Sequence, residues 1–413
     1  AHPFFVRWRE SALSRFLSKY GVDVGLILWG AIVIWVYAWV VTVGSMSAAN
    51  LPSSKDYYWR LAQAFQQGQT HLLVDPDSAL LALEKPYDYK AREGIKVLWD
   101  SGFYNGKYYI YWGPLPGILA AAGGFLTHRP VTDTSLVLFF LGGTTFFSLL
   151  ILRRSYLEYR YPASIFWGGV FAASLNIPLV WILTRPKVYE VSVTGGQFFL
   201  VLGLWGLFHL LHSEKIEKRY LLLTAAAFGF AGATRINLLP SIVFLGLLLF
   251  LWIFIRHQKN IAKSFSDLLA AGLPLASVAG ALLWYNYDRF GKIFEFGHRY
   301  QLTGPALPQD YTQVSSLKYI LPNFYTYFVR LPSLQASFPF IRLEWIKEEM
   351  WPFFIRIPEH YYYSEPVAGL PIIVPIFGVA LLFLARYLWL WLNGDLPKLP
   401  QNKIEKLQKN HWF

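Results

Sequence analysis

Long apolar runs recur along the whole chain, and they limit what it can fold into more than any other feature. They occupy about residues 24–43, 134–152, 164–183, 191–211, 238–255 and 268–284, with others at 113–127, 221–233 and 366–392. A helix of about 20 apolar residues crosses a hydrocarbon core of roughly 30 Å, and a helix satisfies its own backbone there. The sequence therefore predicts an all-α polytopic membrane protein with eight or nine transmembrane helices. Charged residues make up 15% of the chain, against about 25% in soluble domains. The 17 Trp, 26 Tyr and 33 Phe suit interfacial belts and ring-stacking surfaces.

The chain has no cysteine, which excludes disulfides, thiolate metal sites and a thiol nucleophile. Its net charge of +12 does not indicate nucleic acid, because the Lys and Arg gather at the ends of apolar runs instead of forming a binding stripe. The first run is longer than the h-region of about 7–15 residues in a signal peptide, so it reads as a membrane helix.

Charge bias orients the runs. Arg7, Arg9, Arg15 and Lys19 place the N-terminal segment 1–23 in the cytoplasm and the long loop 45–111 outside. Arg153, Arg154 and Arg160, then Lys215, Lys218 and Arg219, then Arg256, His257, Lys259 and Lys263 read as cytoplasmic clusters, as does the basic tail 393–413. Residues 185–190, 234–237 and the aromatic-rich segment 288–365 then lie outside with the loop, and 366–392 forms the last membrane helix. This requires that 113–127 make no net crossing, or that the count of spans elsewhere differ by one. Its Gly113, Pro114, Pro116, Gly117, Gly123 and Gly124 suit a short or re-entrant helix. The alternative is a true crossing with one positive cluster outside.

A loop as long as 45–111 needs a reason, and it carries most of the candidate chemistry. Tyr57, Leu61, Ala64 and Phe65 recur at helical spacing opposite Arg60, Gln63, Gln66 and Gln67, which predicts an interfacial amphipathic helix. Asp56 at its first turn is either a cap for that helix or a general base toward an acceptor hydroxyl. Tyr57 adjoins it, and Asp100 sits in a turn. Glu190, in Arg185-Pro186-Lys187-Val188-Tyr189-Glu190, is a capping acid or a site acid at a helix start. Arg235 stands against the charge bias, as expected of a cation for phosphate or of a snorkelling side chain. Arg289 and Arg299 belong to a dense aromatic and charged run, 285–301, that suits either a structural turn or a sugar or polar-lipid site. Residues 340–354 read as an interfacial or peripheral helix. The nine His form no metal motif, although carboxylates such as Asp56 and Glu190 could hold a hard divalent cation, and no Gly-rich nucleotide loop occurs.

In this order the motifs resemble the GT-C class of integral-membrane glycosyltransferases, which includes protein O-mannosyltransferases and lipid A aminoarabinose transferases. The resemblance rests on Lys55-Asp56-Tyr57-Tyr58 leading into Leu61-Ala62-Gln63-Ala64-Phe65, on Lys107-Tyr108-Tyr109-Ile110-Tyr111-Trp112-Gly113-Pro114-Leu115-Pro116, on the 185–190 motif, on Ala233-Thr234-Arg235 and on Tyr285-Asn286-Tyr287-Asp288-Arg289-Phe290-Gly291. It covers about residues 21–304, and each motif alone is degenerate. It implies a polyprenyl-phosphate sugar donor drawn from the membrane lipid, an acceptor on the extracytoplasmic face of a bacterial plasma (inner) membrane, and inversion at the anomeric carbon. By position Asp56 takes the base role, Arg235 lies near the lipid phosphate, and Glu190 faces the same cavity. Many relatives carry Asp-Glu in the loop motif, whereas Tyr57 follows Asp56 here. The readings from other classes are a transporter or flippase of lipid-linked sugars and a non-catalytic scaffold subunit. Ionisable residues at span ends, Arg386 apart, speak against the transporter.

Overall fold

Five helices among the described residues are long and apolar enough to cross a membrane: Lys19–Val41, Asp133–Tyr159, Val188–Leu211, Ile236–Arg256 and Ser264–Phe290. The chain is thus a helical, multi-pass membrane protein. The computed structural model describes residues 12–52, 55–257, 260–304, 316–336, 341–357 and 366–393. Two units divide it. The first comprises Ala1–Gln69 and Trp112–Tyr285, and the second Thr70–Tyr111 and Asn286–Phe413. The latter half of the long loop therefore groups with the segment from residue 286 on.

In the first unit the helices are α1 (Ala12–Val41), α2 (Tyr57–Gln66), α3 (Leu115–Thr127), α4 (Asp133–Tyr159), α5 (Ala163–Ser174), α6 (Ile177–Thr184), α7 (Val188–Leu211), α8 (Lys218–Thr234), α9 (Leu239–Arg256) and α10 (Ile261–Phe290), whose residues from Asn286 on are counted in the second unit. α1 and α4 are antiparallel, since Asp23 pairs with Arg153 near one end while the Tyr37 hydroxyl meets Thr145 at 2.9 Å further along. α4 and α7 are parallel, with Gly143 under Phe198 and Arg154 bonded to His209. α8 returns along α7, placing Phe228 on Gly203 and Thr224 on Gly206. These small residues allow the close backbone approach that helix association in a bilayer depends on.

The arrangement sorts the charges. Arg153, Arg154, Lys218, Arg256 and His257 gather at one end, where Arg256 donates to the carbonyls of Ser213 and Glu214, and Lys218 to Ser266 at 2.8 Å. The starts of α4 and α7 and the end of α8 lie at the other end, together with Asp56. α3 belongs there at both of its termini. It packs antiparallel to α2, with Leu61 filling the space at Gly117 and Trp59 that at Gly124. Gly113 just before α3 abuts Ala233 and Thr234, and α4 begins beside Asp56. Both ends of α3 therefore lie at the same end of the bundle.

Two expected elements differ. The run 164–183 is broken into α5 and α6, because Asn176 caps the second piece through Leu179 N–H (3.0 Å) while its amide donates back to Ala172 O. The segment 340–354 is not a helix. Ile341–Arg342 (β4) pairs antiparallel with Ser333–Leu334 (β3), and Glu348–Met350 forms a single 3-10 turn. The strand pairing takes the backbone bonds a helix there would need, and Phe340 lies outside the described residues, as do residues 1–11 and 394–413. In the last apolar run a one-turn helix, Leu370–Ile373, precedes α11 (Pro375–Leu392).

The second unit centres on a hairpin, β1 (Gly102–Tyr104) and β2 (Lys107–Tyr109). Its two-residue turn, Asn105-Gly106, has φ of 47° and 70°, the left-handed pair that a type I′ turn requires. Tyr104, Tyr109, Phe290 and Tyr300 pack their rings at centroid separations of 4.6–5.7 Å.

Candidate functional site

Asp56 occupies the position before the first turn of α2, yet its side chain makes no cap bond to that helix. Its backbone is left-handed, φ 46° and ψ 52°, a region that Asp tolerates better than most residues but at a cost. This turn directs the carboxylate to another helix. Oδ1 accepts the Asp133 backbone N–H at 2.9 Å, at the first residue of α4. Thr132 takes a second exposed amide of that terminus, from Ser135 at 3.2 Å. Asp56 therefore caps a helix, but a distant one, and of the two expected roles the cap of its own helix does not hold. Asp133 is fully buried next to it, so two carboxylate residues share the positive end of α4.

The neighbouring wall is aromatic. Tyr57 meets Trp112 edge-on at 6.2 Å, and Trp112 meets Tyr189 at 5.1 Å and 86°. Gly113 fixes this wall, because a Cβ there would overlap the Ala233 carbonyl at the end of α8.

Glu190 and Arg235 sit at adjacent helix termini. Glu190 Oε2 accepts the Lys187 N–H at 3.2 Å, the capping role weighed from sequence. Arg235 follows the last residue of α8 in extended conformation and donates from Nη1 to Ser192 Oγ at 2.9 Å, with its Cβ side against Gly196. Ser192 is fully buried two residues beyond Glu190. The bundle end thus collects the N-termini of α4 and α7, a guanidinium, three acids and an aromatic wall. Helix N-termini and Arg together favour an anion.

Asp100, Arg289 and Arg299 belong to the second unit and are engaged there. Asp100, also left-handed at φ 57°, accepts from Gln301 Nε2 at 3.2 Å while its N–H donates to Leu302 O at 2.9 Å. Arg289 is buried, bonded to Ile110 O and to Asn286 Oδ1, and stacked over Phe290. Arg299 pairs with Glu295 at 2.8 Å and is half exposed. All three hold the fold of that unit together. Burial there also pushes Tyr87 up to about 12 and His298 down, with Glu295 opposing the latter.

Four residues of the bundle end went unassigned from sequence. Asp133 could have been noticed as an acid in Thr132-Asp133-Thr134-Ser135, immediately ahead of an apolar run. Trp112, Tyr189 and Ser192 carry no comparable signal. Among the described residues no group of three or more His, Asp or Glu is placed to hold a metal ion. Comparison with protein-family models, with curated proteins and with solved structures finds no match for the chain.

Proposed function

We propose that the chain is a membrane glycosyltransferase of the GT-C kind, with eight or nine membrane passes, that moves a sugar from a polyprenyl-phosphate donor to an acceptor hydroxyl. Its active face is the extracytoplasmic side of a bacterial plasma membrane, and the acceptor is a lipid, glycan or protein. The observation that carries this reading is Asp56, whose left-handed backbone turns its carboxylate away from its own helix and onto the start of α4. Strain of this kind persists where a site requires it.

Asp56 takes the proton of the acceptor hydroxyl as its oxygen attacks the anomeric carbon. The bond from that carbon to the phosphate oxygen breaks, inversion follows, and the prenyl phosphate leaves with the electron pair. Arg235, oriented by Ser192, meets the charge that develops on the phosphate. Tyr57, Trp112 and Tyr189 offer ring faces to the sugar. If a divalent cation takes part, Asp56 would hold it, with Asp133 and Glu190 the other acids at this end of the bundle. Carboxylates would suit a Mg²⁺-type ion, which would supply neutralisation of the leaving group's charge.

The test is transfer of labelled sugar from a prenyl-phosphate donor by the purified chain in proteoliposomes, with Asp56→Asn alongside. Transfer by the intact chain and a loss of about 10²–10⁴-fold in the variant are expected. Full activity of Asp56→Asn removes the base assignment, and no transfer across a panel of donors and acceptors removes the enzyme reading.

A further inference from the structure

At the end of the bundle away from Asp56, two adjoining cavities meet at Leu150 and Arg153. The larger, about 600 Å³, is a groove between α1 and α4 lined by Leu26, Ile27, Ile34, Phe146 and Leu149 among others, with Asp23 and Arg153 at one end and Tyr37 and Thr145 at the other. The smaller, about 440 Å³, is lined by Arg154, Glu158, Leu157, Trp205 and His209.

Its dimensions are those of one leaflet. From Gly142 to Arg153 α4 rises about 16 Å at roughly 1.5 Å per residue, half of a hydrocarbon core of about 30 Å. The deep end is closed by the Tyr37 hydroxyl, which bonds Thr145 at 2.9 Å and the Ser174 carbonyl at 2.8 Å. Glycines hollow it out: a Cβ at Gly30 or at Gly142 would meet nothing within 4 Å.

The shallow end carries both signs of charge. Arg153 is matched by Asp23. Arg154 bonds the neutral acceptors His209 Nδ1 and His212 O, and Glu158 lies one turn on along the same helix face, 3.8 Å from His212 Nε2. A phosphate fits Arg154, and an N–H-bearing cation fits Glu158. A net-anionic head group would set its charge against Glu158, and a quaternary ammonium has no N–H to donate.

We propose that this groove binds one bilayer phospholipid with a zwitterionic, primary-amine head group of the phosphatidylethanolamine type, its phosphate on Arg154, its ammonium on Glu158 and one acyl chain along α1 and α4. The site is separate from the proposed transfer chemistry and stands without it. Native mass spectrometry of the full-length chain, titrated with phosphatidylethanolamine, phosphatidylglycerol or phosphatidylcholine of the same acyl composition, reads it directly. The ethanolamine lipid should reach half occupancy at about one tenth of the concentration the others need, as one charge-assisted hydrogen bond predicts. Glu158→Gln should bring that ratio close to one. Gly142→Leu, whose Cβ would meet nothing within 4 Å and whose side chain would take up groove volume, should abolish retention of all three lipids. Equal binding of the glycerol and ethanolamine lipids, ethanolamine-lipid retention by Gly142→Leu, or adducts with the mass of a prenyl phosphate or a second chain would overturn the proposal.

Discussion

The left-handed turn at Asp56 separates stability from activity, and a series of three substitutions tests the separation. Asn keeps an oxygen in place for the Asp133 N–H and tolerates φ near 46°. It loses only the charge at the N-terminus of α4, worth about 0.3–1 kcal/mol. Gly relieves the backbone cost of about 1–2 kcal/mol but forfeits the cap bond, also about 1 kcal/mol, so the two nearly cancel. Ala forfeits the bond and keeps the strain that the wild type also carries, so it falls about 1 kcal/mol below wild type and about 1–2 kcal/mol below Gly. The expected order of thermal stability in detergent is therefore wild type, Asn and Gly close together, and Ala well below. Sugar transfer should follow a different order, with all three variants inactive to the same degree because none supplies a base. If Ala unfolds at the same temperature as Gly, the left-handed backbone is not what the site holds. If Asn is as unstable as Ala, the bond to Asp133 is not made.

Further outcomes follow from neighbouring contacts. Arg235→Gln should lower kcat/KM for a prenyl-phosphate sugar by about 10²-fold while leaving the melting temperature nearly unchanged; a change confined to stability would make Arg235 a structural residue. Gly113→Ala drives a methyl group into the Ala233 carbonyl and should cost about 1–3 kcal/mol, seen as a lower unfolding temperature with faster proteolysis near α3. Burial lowers the His298 pKa from its ordinary 6.5, so the unfolded chain binds the proton more readily. The resulting stabilisation is present above about pH 6.5 and is lost as pH falls through the lowered value. Thermal scans from pH 7.5 to 5 should show this decline, and His298→Gln should flatten it.

What could be read from sequence follows from how far each signal reaches along the chain. Apolar runs and the amphipathic pattern of 57–66 are local, and the helices appear where those patterns lie. Charge bias is a sum over many residues, which is why the gathering of arginines at one bundle end could be anticipated. The break between α5 and α6 depends on one Asn176 side chain bonding in both directions, and hydropathy averages over it. The hairpin at 102–109 is announced by Asn105-Gly106, but it lies inside a loop where no strand was sought.

The site divides in the same way. Asp56 and Arg235 stood out because an acid and a cation beside a bilayer are individually conspicuous, whereas Arg289 and Asp100 looked equally conspicuous and prove to be bonded into their own unit. Residue type gave no means of telling these pairs apart. The difference lies in the surroundings: Arg289 and Asp100 are bonded inside their own unit, to Ile110, Asn286 and Gln301, whereas Arg235 follows a helix terminus and bonds Ser192 near the start of another helix. Asp133 belongs to the second kind. Its importance rests on Asp56, 77 positions away, and on a backbone angle that no residue pattern specifies, so the bond from the start of α4 to Asp56 exists only once α2 and α4 have packed.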